Sequence, residues 1–210
     1  MMSTQKQIAE YLLQSKAIKL DAANPFTWAS GWKSPIYCDN RITLSYPEIR
    51  RFIRDKFIEI IHEKYPQCNL IAGVATGAIA QAALVAEKMD LPFVYVRPSP
   101  KTHGRENLIE GEIRNGQQVV VVEDLISTGG SSLKAVEALR NAGVEVLGMV
   151  AIFTYGFDVA VKSFEESKCS LDTLGSYNSM LETALSKNYI EEKYLDILKT
   201  WREDPSTWRT

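Results

Sequence analysis

The stretch that most constrains this chain is residues 119–133, VVVVEDLISTGGSSL. Four consecutive valines, Val119 to Val122, make a short β-branched run of the kind buried on both faces of a parallel sheet. Two carboxylates, Glu123 and Asp124, follow where such a strand would emerge. Then come Leu125, Ile126 and a run of hydroxyls and glycines, Ser127, Thr128, Gly129, Gly130, Ser131 and Ser132. Residues 133–141 have the composition of an amphipathic helix. In open α/β sheets ligands bind beyond the carboxyl ends of the strands. A glycine-containing turn at a helix N-terminus offers free N–H groups and the positive end of the helix dipole to a phosphate.

The motif lacks the Gly-Lys-Ser/Thr ending of a Walker loop, and its acids precede the glycines, unlike a dinucleotide fingerprint. A lone Gly-Gly turn would be read as an ordinary β-to-α connection with a Ser or Thr cap. The hydrophobic strand, acid pair and hydroxyl-rich loop in register favour a phosphate cradle instead. Two acids beside it suit a ligand that carries hydroxyls, or a bound cation, next to its phosphate. A ribose 5-phosphate meets that description.

Short apolar runs recur at residues 70–74, 92–96, 119–122 and 145–153, and helical patterns at 47–63, 79–89 and 133–141 separate them. This alternation predicts a parallel α/β sheet. The length of 210 residues suits a single domain over 1–210, with a core at about 45–155 and a small lobe from about 20–44 and 156–210. A net charge of −2 argues against a broad nucleic-acid footprint. Cys38, Cys68 and Cys169 lie far apart, with no CxxC pair, and suggest neither a disulfide framework nor a zinc site. No signal peptide and no membrane-spanning run is expected, so the reading is a cytoplasmic protein.

Outside the central stretch, residues 4–18 read as an amphipathic helix on Ile8, Tyr11, Leu12 and Ile18, packing on the domain or on a partner. Residues 26–40, FTWASGWKSPIYCDN, suggest a hairpin ending at 35–38. Trp28, Trp32 and Tyr37 there either stack on a flat ring or cover a core. Residues 73–78 form a glycine-containing turn that lets backbone approach an anion. Residues 97–107 carry Arg97, Lys101, His103 and Arg105, as a lid over polyanionic phosphate would, or as a solvated loop would. Toward the C-terminus a helix is expected at 159–166, a strand at 170–174 and helices at 177–185 and 191–201, with Trp201 and Trp208 on the surface.

Residues 119–132 resemble the phosphoribosyl-pyrophosphate (PRPP) motif of the type I phosphoribosyltransferases. The wider chain, over most of 26–155, is similar to the orotate-specific members of that family. The resemblance implies a parallel sheet flanked by helices, with a small hood built from N- and C-terminal segments. It also implies magnesium-dependent transfer of ribose 5-phosphate from PRPP to orotate in pyrimidine biosynthesis. PRPP would be held by Arg97, Lys101, His103, Glu123, Asp124, Leu125, Ile126, Ser127, Thr128, Gly129, Gly130 and Ser131. Lys101, Asp124 and Glu123 would be catalytic, Ser127 and Tyr37 would contact orotate, and magnesium would ride mainly on substrate oxygens, with no protein ligands. A homodimer sharing its lid between subunits is implied as well. The chain departs from the family pattern at Ala29, Cys38, Tyr155 and the Pro98-Ser99 pair, where a lysine, an aromatic, an arginine and a further lysine are usual. Two rivals remain at this point: a phosphoribosyltransferase for another base, and a PRPP-sensing regulator that binds nucleic acid.

Overall fold

The computed structural model describes residues 3–28, 31–99 and 108–208. Helix α1 (Thr4–Gln14) begins at Ser3, whose hydroxyl accepts the Lys6 N–H. It stops short of residue 18 because Lys16 takes a left-handed φ of 59°, and the chain enters strand β1 (Ile18–Leu20). Strands β2 (Phe26–Thr27) and β3 (Lys33–Ser34) form a small antiparallel ribbon. Strand β4 (Ile36–Cys38) leaves it to pair antiparallel with β1, Lys19 opposite Tyr37. The expected hairpin through residue 38 therefore ends at Ser34. The buried Ser34 hydroxyl donates to the Ile36 carbonyl and accepts the Ile36 N–H, turning the chain at Pro35.

A 3-10 turn (Asn40–Ser45) leads into α2 (Pro47–Lys64), opened by a proline at its first position. Its buried stripe is Ile49, Ile53, Phe57 and Ile61, at the helical repeat. Each such side chain contributes roughly 1.5–3 kcal/mol through burial. The remaining elements follow in order: β5 (Leu70–Val74), α3 (Ile79–Met89), β6 (Phe93–Val96), β7 (Ile109–Glu110), β8 (Gln118–Ile126), α4 (Gly130–Asn141), β9 (Glu145–Thr154), α5 (Asp158–Glu166), β10 (Leu171–Ser176), α6 (Tyr177–Ser186) and α7 (Leu195–Glu203).

The main sheet runs β10-β9-β8-β5-β6-β7, parallel throughout except that β7 pairs antiparallel with β6. Val119 to Val122 are fully buried at its centre, as the valine run predicted. One face packs Val120, Val122 and Val150 against Ile8, Ile53 and Phe57. The other packs Val119 and Val121 against Val136, Leu139 and Phe164. Helix α1 packs on this domain, with Ile8 and Leu12 buried.

Three expectations are corrected. Strand β8 does not end at Val122 but pairs with β9 as far as Ile126, so the acid pair lies within it. The strand near 170–174, placed in the hood, joins the main sheet as β10 beside β9. Trp201 is not on the surface: it is 0% exposed. Its ring meets those of Trp28, Tyr155, Phe157 and Tyr177 at centroid distances of 5.5–5.7 Å. This aromatic cluster pins α7 against β2 and the end of β9.

Candidate active site

Parallel pairing brings the carboxyl ends of β5, β6, β8 and β9 to one side of the sheet. The turn after β5, Arg97 after β6, the acid pair and loop of β8, and Tyr155 after β9 therefore share one edge. This is the edge where α/β sheets bind ligands.

The glycine loop expected to cradle a phosphate begins where β8 ends. Gly129 adopts φ +82° as the N-cap of α4, a conformation glycine takes without strain. A Cβ there would also crowd Phe164 at 3.0 Å. No side chain caps α4, which leaves its first-turn N–H groups directed at the space above the loop. Thr128, Gly130 and Ser131 are exposed around it, and Ser127 is half-buried. Ile126, expected in the cradle, is instead buried in the core, its carbonyl accepting the Tyr155 N–H at 3.0 Å. Leu125 faces a neighbouring cavity. The prolonged β8–β9 pairing holds both within the strand.

Glu123 is 5% exposed. One of its carboxylate oxygens accepts the Asp124 N–H at 2.9 Å and the other the Ser132 hydroxyl at 2.7 Å. Burial, followed by the neighbouring Asp124 charge, pushes its carboxyl well above the usual range. Burial raises Asp124 as well, against opposing hydrogen bonds and the Arg41 charge. The pair is thus held where a nearby positive charge would strengthen its ionisation. A Cβ placed on Gly77 would collide with the Asp124 carboxylate, so the turn after β5 closes directly against it. Sequence reading placed these two loops separately and missed this contact.

It also missed Asn40, which is 2% exposed. Its amide donates to the Asp124 carbonyl at 2.6 Å, and its side-chain oxygen accepts from the Cys38 thiol at 3.4 Å. Beside it Arg41 forms a bidentate pair with Asp39 at 2.7 and 2.9 Å. The hydrogen bond and the charge of Arg41 lower the Asp39 carboxyl. The DN dipeptide at 39–40 carried no local signal, because its partner lies 84 residues away.

Adjoining the acid pair is a cavity of about 230 Å³ lined by Thr27, Trp28, Tyr37, Cys38, Leu125, Ser127 and Tyr155. Its size and aromatic walls suit one flat heterocycle. Tyr37 is 40% exposed at its rim. Burial raises the Cys38 thiol and the Tyr155 phenol well above their ordinary values, so both stay neutral. Tyr37 and Ser127, predicted to contact the base, come together here, and Ser127 joins this cavity to the cradle. Of the aromatics of 26–40, Trp28 packs on the core cluster and, with Tyr37, lines the cavity.

Arg97 meets Glu110 on β7 at 3.4 Å. Lys101 and His103, together with Ala29, lie outside the described residues. Among the described residues no group of three or more His, Cys, Asp or Glu side chains is placed to hold a metal ion, and no helix is long and apolar enough to cross a membrane.

Comparison with known proteins agrees with this geometry. The phosphoribosyl transferase domain family matches residues 43–178. The orotate phosphoribosyltransferase of Phocaeicola vulgatus is 62% identical over 99% of this chain and 98% of its own. That of Bacteroides fragilis is 60% identical over 100% and 99%. The crystal structure of orotate phosphoribosyltransferase from Aeropyrum pernix superposes with a TM-score of 0.71 at 28% identity, covering 83% of this chain and 97% of that one. The matched domain contains the cradle, the acid pair and the turn that closes on them, and the near full-length relatives extend over the base cavity as well: the chain belongs to the orotate phosphoribosyltransferase family.

Proposed function

We propose that this protein transfers ribose 5-phosphate from PRPP to N1 of orotate, releasing pyrophosphate and orotidine 5′-monophosphate, a step of pyrimidine biosynthesis. The observation that carries this reading is the continuity of three compartments at one sheet edge. A helix N-terminus can take the 5′-phosphate, a buried acid pair the ribose, and a flat cavity the base.

In this reading the 5′-phosphate rests on the N–H groups and hydroxyls of Thr128, Gly129, Gly130 and Ser131. Glu123 and Asp124 accept the ribose hydroxyls and stabilise positive charge as it develops at the anomeric carbon. Their burial strengthens that interaction, because the low-dielectric surroundings that disfavour their ionisation are relieved by an arriving cation. Trp28, Tyr37 and Tyr155 enclose the ring and exclude water, with Ser127 at the junction of base and ribose. The turn at 75–78 faces the acids from the β5 side, where pyrophosphate leaves, and Arg97 and Lys101, with His103, neutralise it. The residues present suit magnesium carried mainly on substrate oxygens, since in this reading the acid pair is taken up by the ribose hydroxyls and magnesium keeps waters and phosphates as ligands. When bound, magnesium would offset charge on the pyrophosphate. The active assembly is a homodimer in which each lid serves the neighbouring subunit's site.

The test is a base panel. Purified protein with PRPP and magnesium should deplete orotate and leave adenine, hypoxanthine and uracil unchanged. Turnover of one of the other bases in preference to orotate would replace the reading with that of a different phosphoribosyltransferase.

A further inference from the structure

Orotate carries a carboxylate, yet among the described residues the base cavity has no cationic wall: it is bounded by two hydroxyl residues, three aromatics, a thiol and a leucine. Burial keeps its Cys38 and Tyr155 neutral. An anionic substituent entering such a cavity needs a counter-charge at its mouth, because desolvating an unpaired carboxylate is costly.

One ammonium is placed for this. Lys33 lies directly across the β2–β3 ribbon from Thr27, and Thr27 is part of the cavity wall. The Lys33 ammonium donates to the Thr27 hydroxyl at 2.9 Å. This leaves two of its three protons for another acceptor. No acidic side chain pairs with it among the described residues. Its backbone is fixed from behind: the Lys33 carbonyl accepts the Nε1–H of the buried Trp201 at 3.2 Å. The ribbon therefore holds a charge at the rim while the side chain stays exposed and free to swing over the cavity. Of the other cations near the cavity among the described residues, Arg41 is already held bidentately by Asp39, and Lys19, across β1–β4 from Tyr37, also faces the Asp39 charge.

We propose that Lys33 is the specificity-determining residue for the base, its ammonium pairing with the substrate carboxylate at the Thr27 rim of the cavity. The assignment rests on the orotate reading above. Lys33 discriminates orotate from uncharged pyrimidines and takes no part in binding PRPP.

Steady-state kinetics of Lys33→Met, Lys33→Arg and wild type test it. Lys33→Met should raise KM for orotate about tenfold to hundredfold, the worth of one charge-assisted hydrogen bond. KM for PRPP should stay within about twofold, since the charge lost faces the base and not the phosphates. Lys33→Arg should recover most of the loss. The orotate KM of the wild type should rise with ionic strength and that of Lys33→Met should not. The side chain is exposed, so all three proteins should share one melting temperature. An unchanged orotate KM in Lys33→Met, or equal rises in KM for orotate and PRPP, would overturn the assignment while leaving the orotate reading intact. A wild type that ignores orotate would overturn both.

Discussion

Gly77→Ala separates catalytic geometry from folding. Gly77 does not take a positive φ, so alanine suits its backbone and should stabilise the fold by about 0.4–1 kcal/mol through the unfolded chain. The new methyl carbon, however, would lie 2.6 Å from one oxygen of Asp124 and closer still to the other. Ordinary contact begins near 3.4 Å, so the carboxylate must retreat by about 1 Å, a displacement that costs an active site about 100-fold. The backbone of Asp124 cannot follow easily, being paired within β8 and held by Asn40. The assay is kcat/KM from loss of orotate absorbance, measured beside thermal unfolding. We predict activity lowered about 100-fold, with a melting temperature within about 4 °C of wild type, the unfolded-chain gain offsetting the cost of moving one carboxylate. Activity within about threefold of wild type would refute the claim that Asp124 must stay in register with the turn after β5. Equal loss of activity and stability would show that the glycine serves the fold alone.

Asn40→Ala should lower kcat about tenfold, the worth of one buried hydrogen bond at the Asp124 carbonyl. Asn40→Asp should not rescue it, because an ionised carboxylate cannot donate; full activity in that variant would contradict the role. Trp201→Ala should cost about 3–5 kcal/mol, lowering the melting temperature by roughly 6–20 °C for a chain of this size. A fall of under about 3 °C would show that the aromatic cluster does not anchor α7. Burial, with the Asp124 charge, raises the Glu123 carboxyl, so the folded state keeps a proton that the unfolded chain has released. That stability is full below the ordinary carboxylate pKa and is lost as pH rises through the raised folded value. Glu123→Gln removes the dependence, and its denaturant midpoint minus that of wild type should increase from acidic to neutral pH; a constant or decreasing difference would contradict the assignment. Lys101→Ala should lower kcat far more than it raises KM for PRPP if the lysine acts at the departing pyrophosphate. Mixing it with Asp124→Asn subunits should restore some activity, and verified heterodimers without recovery would exclude a shared site.

The parts of the fold that were legible are those whose signal is local. The four valines from Val119 predicted a strand buried on both faces, and the glycines at 129 and 130 predicted a helix N-terminus open to an anion; the structure has both. Residues 79–89 carry the α3 pattern without interruption, and its bounds agree. What escaped depends on contacts far apart in the chain. Trp201 follows polar residues near the C-terminus, and the distant rings of Trp28, Tyr155, Phe157 and Tyr177 give it a buried place. Asn40 is one small amide in a polar stretch, and its meaning comes from the Asp124 carbonyl. Strand β7 has two residues and exists through pairing with Tyr95 and Val96, too short for any periodicity. Strand β8 outran its valines because β9 continues beside it to Thr154, sustaining the ladder through the acids.

The most direct test of the account is stoichiometry. With PRPP, magnesium and limiting orotate, pyrophosphate released should equal orotate consumed, and with Asp124→Asn in place of the wild type neither release nor consumption should be detected. Pyrophosphate released without loss of orotate would mean that the cradle and acid pair bind PRPP but water, not the base, takes the ribose.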